Sequence, residues 1–224
     1  MFKPSDLFDL SQTEYAAVFA GCTYPWEALS KIRSFIKANL RPALKNRSGG
    51  DVWIGSDVFI GQGTVVEDGA MIKGPAIVGR NCQIRHNAYI RDDVLIGDGC
   101  VIGNSCELKN ALLFNDCQVP HFNYVGDSIL GHKAHLGAGA VLSNFKSTRS
   151  NVKVEIDGQP LDTGLRKFGA LLGDNVDVGC NAVLNPGSIV GRGSIIYPCT
   201  NWRGVLPANR IVKNRGSLEI VRRK

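Results

Sequence analysis

Arg91 and Lys109 stand 18 residues apart, and each directly follows an aliphatic residue, Ile90 or Leu108. A guanidinium is a planar fork that holds phosphate bidentately, while an ammonium adds a mobile point charge, so the pair suits a phosphorylated ligand. His121 follows 12 residues after Lys109, and an imidazole titrates near neutral pH, where it can take a proton from an attacking group. More positive charge lies at the end of the chain. Residues 201–224 hold seven Lys/Arg against one Glu, which equals the whole formal charge of +6 and leaves the rest neutral overall. Confined to one tail and without interleaved aromatics, that charge points to a small phosphorylated ligand and away from nucleic acid.

The elements that must position these residues repeat every six positions. Aliphatic residues fall at Ile54, Ile60, Val66, Ile72, Val78, Ile84, Ile90, Ile96, Ile102 and Leu108, ten positions without a slip. A small or modest residue precedes each by two: Val52, Val58, Thr64, Ala70, Ala76, Cys82, Ala88, Val94, Cys100 and Cys106. Glycine often follows the aliphatic position, as at Gly55, Gly61, Gly79, Gly97 and Gly103, where it turns a corner without a Cβ clash. After one-residue slips the period resumes at Leu113, Val119 and Val125, then at Leu130, Leu136 and Leu142, and a last run covers Leu172, Val178, Leu184, Val190 and Ile196. Alternating inward residues over such short stretches make strands, and a period of six excludes amphipathic helix.

Short parallel strands with a turn every six residues stack as a solenoid whose core is made by coil lying on coil. The twenty-one hexads predict about seven triangular coils between residues 51 and 200. Arg91 and Lys109 then occupy corners on adjacent coils, where a small glycine is the rule, and form one outward site. His121, two residues past the inward Val119, lies outside the packed interior. Cys82, Cys100, Cys106 and Cys117 fill inward positions as small hydrophobes. Residues 1–50 are expected to cap the first coil: Pro25 and Glu27 open a helix in which Trp26, Leu29, Ile32, Ile36 and Leu40 recur at helical spacing. Residues 143–169 lack the period and read as a loop ejected from the scaffold, a place where function concentrates. Residues 201–224 form the basic tail.

The array resembles the left-handed parallel β-helix of the bacterial hexapeptide transferases, and the hand comes from that resemblance. The chain is all-β on this reading. Over roughly Arg91 to Arg215 it is similar to the acetyltransferase half of the bifunctional glucosamine-1-phosphate N-acetyltransferase and UDP-N-acetylglucosamine pyrophosphorylase. The run His121-Phe-Asn-Tyr124-Val-Gly-Asp127, then Gly137-Ala138-Gly139 and Asn144, carries the likeness. The resemblance implies an acetyl-CoA-dependent transfer to an amino-sugar 1-phosphate. His121 would be the base that deprotonates the amine, with the Ala138 N–H on the thioester oxyanion, Asn144 holding amine and acetyl group in register, and Tyr124 and Lys167 beside Arg91 and Lys109 on the substrate. Phe145, Cys180, Pro198 and Arg215 would line the coenzyme groove, with Arg215 on its phosphate. Where the family has Asn, Tyr and Ser, this chain has His135, Phe145 and Cys180, so the identity of the amino sugar is not carried over.

The same resemblance implies a homotrimer with sites between subunits. The first 51 residues are too short for a nucleotidyltransferase domain, which a separate partner would supply. No catalytic or structural metal is expected: His86 and His121 stand nearly two coils apart, but a zinc lyase of the same fold would need a third imidazole five residues after His121, and Gly126 stands there. The scattered, odd-numbered cysteines suit reduced thiols, and no stretch has the length and apolarity of a leader or membrane span, so a cytoplasmic protein is expected. Two rival readings keep the fold: O-acyl transfer to a nucleotide sugar from a carrier-bound acyl chain, or a trimeric β-helix scaffold without catalysis.

Overall fold

The computed structural model describes residues 2–41, 43–44, 50–156 and 158–214. Its body is a left-handed parallel β-helix of about nine turns, with few helices. Each hexad lays one short strand on a wall, and the residues at the aliphatic position and two before it point inward into one continuous core. The first wall includes Val58–Ile60, Ala76–Val78 and Val94–Ile96 and ends at Val205–Leu206. The second runs from Val65–Val66 to Ile211–Val212 and the third from Trp53–Ile54 to Asn201–Trp202. The solenoid therefore continues past residue 200 into the stretch expected to be a tail, and it has more turns than the hexad count predicts.

The slips in the period have a structural meaning. Leu108 to Leu113 and Val125 to Leu130 are one residue short of a hexad, so the chain rounds the corner from the third wall to the first as single strands, Glu107–Leu113 and Tyr124–Leu130. Asn110 and Asp127 make those bends with φ of 44° and 47°, a left-handed conformation that Asn and Asp tolerate. At another corner the glycine rule holds sterically: a Cβ on Gly103 would sit 1.5 Å from the Pro120 carbonyl oxygen. The four inward cysteines are buried and unpaired. Burial pushes the Cys100 and Cys106 thiols up, and a neighbouring thiol, Cys100, does the same to Cys82.

Most of the described N-terminal segment lies along the outside of the first wall, while Ala43–Leu44 adds to the end of that wall as a parallel strand beside Phe59–Ile60. Outward residues there are apolar coil after coil, with Ile77, Leu95, Leu112, Ile129, Leu171 and Ile189 buried beneath Leu7, Phe8, Phe19, Trp26, Ile32 and Ile36. A wall of that composition must be covered. Polar anchors fix the strap in register: the Asp174 N–H donates to the Leu7 carbonyl at 3.0 Å and the Asn115 N–H to the Gln12 carbonyl at 3.1 Å. The Tyr15 hydroxyl donates to the Ile96 carbonyl at 2.9 Å, and Arg33 Nε pairs with Asp93 at 2.9 Å. The helical stretch expected from Pro25 is a 3-10 turn over Pro25–Ser30 followed by an α-helix over Ile32–Asn39.

The ejected loop is itself folded. It leaves after Asn144, is closed at its neck by an antiparallel bridge between Phe145 and Lys167, and carries a hairpin of Lys153–Ile156 with Gln159–Asp162. Val152, Val154 and Phe168 are buried in the same outer cluster as the strap. Among the described residues, no helix is long and apolar enough to cross a membrane.

Candidate functional site

The third wall is bounded by two corners, and the chemistry divides between them. At the corner toward the first wall, Lys73, Arg91, Lys109, Gly126, Ser143, Asn185 and Arg203 stack one per coil. The ladder shows it: the Lys73 and Arg91 N–H groups donate to Ile90 and Leu108, Lys109 is in register with Gly126, and Ser143 and Asn185 donate to Leu184 and Trp202. Arg91 Nη1 is 2.8 Å from Glu107 Oε1. Lys109 Nζ is 3.8 Å from Asp127 Oδ2. Asp127 is only 4% exposed and also accepts from Asn110 Nδ2 at 2.9 Å and from Asn144 Nδ2. One buried carboxylate therefore orients Lys109 and Asn144 together.

Gly126 is what lets these groups meet. A Cβ there would lie 2.6 Å from both the Tyr124 hydroxyl oxygen and Asn144 Nδ2, closer than non-bonded atoms tolerate, so any other residue would push both aside. The Tyr124 phenol is pushed up, first by burial and then by the charges of Glu107 and Asp127; it stays protonated at neutral pH and offers its hydroxyl as a donor.

The other corner, toward the second wall, carries His121. Its side chain is exposed, and its backbone is fixed on both sides: the His121 N–H donates to Asn123 Oδ1 at 3.1 Å and its carbonyl accepts from the Gly139 N–H at 3.0 Å. Asn123, buried, ties this turn to the next coil by donating to the Gly137 carbonyl at 2.8 Å. The imidazole has no hydrogen bond or ion pair among the described residues, and the exposed Phe122 ring stands tilted beside it, 6.3 Å between centroids. Ala138, Cys180 and Pro198 stack above it: the Asn181 N–H donates to Ala138, Cys199 donates to Cys180, and Gly179 abuts Pro198. The Ala138 N–H has no acceptor among the described residues. Four residues, 122–125, separate His121 from Gly126 at the opposite corner.

Of the residues read from the sequence, Arg91, Lys109, Tyr124 and Asn144 come together at one corner and His121, Ala138, Cys180 and Pro198 at the other. Phe145 and Lys167 pair at the loop neck beside Asn144. His135 is elsewhere, on the outer face of the second wall with Nδ1 2.8 Å from Asp177 Oδ1. Arg215 lies outside the described residues. Among those residues no group of three His, Cys, Asp or Glu is placed to hold a metal. The sequence reading gave no role to Glu107, Asp127 or Lys73. Alternation was the available signal for Glu107, since a residue two before Lys109 shares its outward face. Lys73 stands 18 residues before Arg91 and continues the same series.

A solenoid with a polar, cation-bearing corner defines the class. Residues 72–195 match the family described as GMPPB C-terminal domain. The chain belongs to that family. It is 35% identical over 92 residues to a bifunctional sugar-1-phosphate nucleotidylyltransferase/acetyltransferase of Sulfurisphaera tokodaii, covering 41% of this chain and 23% of that one. It is 37% identical over 90 residues to the bifunctional protein GlmU of Methanococcus maripaludis, covering 40% and 22%. The chain thus spans less than a quarter of either relative's length. Among solved structures, the Arabidopsis UDP-N-acetylglucosamine acyltransferase is similar at TM-score 0.44 and 14% identity, over 75% of this chain and 67% of that one.

Proposed function

We propose that this chain is an acyltransferase that moves an acetyl group from coenzyme A to the amine of a sugar 1-phosphate. The observation that carries the reading is the pairing on one wall of an exposed, unpartnered imidazole with a corner where Asp127 holds Lys109 and Asn144 beside the Tyr124 hydroxyl. A general base must be free to receive a proton, and binding groups must be held in place. The two corners meet these opposite demands.

In this mechanism His121 accepts the amine proton as the nitrogen forms its bond to the thioester carbonyl carbon. The Ala138 N–H stabilises the oxyanion, the carbon–sulfur bond breaks, and the proton on His121 passes to the departing thiolate. No covalent enzyme intermediate is required. Arg91 and Lys109 bind the sugar phosphate, with Tyr124, Asn144 and Lys167 on the sugar. Because Glu107 and Asp127 offset two of those positive charges, Lys73 supplies surplus charge one coil below: it is exposed and has no ion pair among the described residues.

The first wall is occupied by the chain's own strap, so second copies have the second and third walls on which to seat, and a homotrimer is the assembly we infer. The test is thiol release from acetyl-CoA with a panel of hexosamine 1-phosphates, using the whole chain. Turnover that disappears in His121→Ala while both substrates still bind supports the reading, and full activity of that variant overturns it. Activity confined to a carrier-bound acyl donor and a nucleotide sugar would favour the O-acyl rival. If neither donor is turned over and acetyl-CoA does not bind in calorimetry, the solenoid is a scaffold.

A further inference from the structure

At the upper end of the cation-bearing corner, the ejected loop and the solenoid together form an open cavity of about 400 Å³ whose lining includes Ser143, Phe145, Lys146, Thr148, Asn185 and Arg203. We infer that this cavity is a nucleotide-binding subsite, with phosphate between Lys146 and Arg203 and the base against Phe145.

Charge is the first support. Arg91 and Lys109 lower on the corner are each matched by a carboxylate, whereas no acidic residue lines this cavity. Arg203 is exposed and has no ion pair or hydrogen bond among the described residues. Lys146 Nζ is tethered by Ser150 Oγ at 2.8 Å and the Asn151 carbonyl at 3.2 Å, which fixes its position and leaves one of three N–H bonds for a ligand. The carboxylate that feels Lys146, Asp162, is held low chiefly by the Gly164 N–H and lies outside the cavity lining. An unmatched Arg and a tethered Lys beside two hydroxyls make an anion site.

Shape is the second. A single phosphate would leave most of this volume empty, while small-ligand sites begin at about 300 Å³. Phe145 is 42% exposed, yet the bridge to Lys167 holds its backbone, so its ring is a ready platform; stacking a base on an aromatic ring is worth about 1 to 3 kcal/mol. Position is the third. Arg203 lies four coil steps above Lys109, about 19 Å at the spacing of neighbouring strands, too far for one phosphate to reach both. The cavity therefore serves a second phosphorylated group. This deepens the acyl-transfer reading by assigning that group to a nucleotide, which either the coenzyme or a nucleotide-linked sugar carries.

Trp202, next to Arg203, reports on occupancy by fluorescence. The whole chain is titrated with 3′,5′-ADP, with UDP and with inorganic pyrophosphate, alongside Arg203→Ala, Arg203→Lys and Phe145→Ala, each verified by its thermal unfolding curve. Arg203→Ala is expected to weaken nucleotide binding at least tenfold, with partial recovery in Arg203→Lys. Phe145→Ala should weaken the nucleotides and leave pyrophosphate unchanged. Preference for 3′,5′-ADP assigns the site to the donor, and preference for UDP to the acceptor. Wild-type affinity in both alanine variants, or no binding of any probe to the wild-type chain, overturns the inference. Nucleotide binding here without acyl transfer would sink the catalytic reading alone; acyl transfer with undiminished binding in Arg203→Ala would sink this one alone.

Discussion

The two corners of the third wall are built oppositely. Around Arg91 and Lys109, side chains are locked to one another: Glu107 on the guanidinium, and Asp127 shared by Lys109, Asn110 and Asn144. Around His121 the backbone is locked, through Asn123 and Gly139, and the imidazole is left alone. Binding needs groups already in place when the ligand arrives, and proton transfer needs a group with nothing competing for its nitrogen. Under the proposed function, one corner holds and the other reacts.

Breaking the reactive corner is expected to give the largest effect. His121→Ala should lower the transfer rate by about 10²- to 10⁴-fold with little change in thermal unfolding, since the ring is exposed. The holding corner should fail differently. Asp127→Ala leaves a largely buried ammonium and two amides without their acceptor, and a loss of about 3 to 5 kcal/mol is expected in chemical denaturation, together with a raised KM. If Asp127→Ala instead left stability and KM intact, the corner would not be held by that carboxylate.

Alkaline pH sharpens the contrast from another side. Tyr124, Tyr15, Cys82, Cys100 and Cys106 all have pKa values raised by the fold. The folded chain therefore keeps protons that the unfolded chain gives up, and the stabilisation present below the ordinary values of about 8.5 for Cys and 10 for Tyr is lost as pH rises through the raised ones. Unfolding free energy measured against pH should fall above about 8.5, and Tyr124→Phe should make that fall shallower. The smallest effect is expected at the end of the column: Lys73→Ala should raise the KM for the sugar phosphate by about two- to fivefold, the scale of an exposed ionic contact, and leave kcat alone.

Much of this was readable before any coordinates. The inward set from Ile54 to Ile196, the buried Cys82, Cys100, Cys106 and Cys117, and the outward placement of His121, Arg91 and Lys109 all follow from the six-residue period. The slips before Leu113 and Leu130 were visible, but their meaning was not: each shortens the same corner and places Asn110 or Asp127 in a left-handed bend. A second pattern is superimposed on the first. On every third hexad the residue between the two inward ones is apolar, as at Ile77, Leu95, Leu112, Ile129, Leu171 and Ile189, and that marks the wall the N-terminal strap covers. A lone outward Glu such as Glu107 looks like any solvated charge until its partner Arg91 on the neighbouring coil is known.

The sequence by itself determined the solenoid and which side chains point into it, because inward packing is a local alternation that every coil repeats. Only the tertiary structure decided what lies outside: that the strap runs along the first wall, that Asp127 joins Lys109 to Asn144, and that the ejected loop shares a cavity with Arg203. A one-dimensional period is blind to which of three walls a hexad occupies. Contacts from one coil to the next, such as Arg91 with Glu107, and between the solenoid and segments outside the repeat, come into being only when the prism closes.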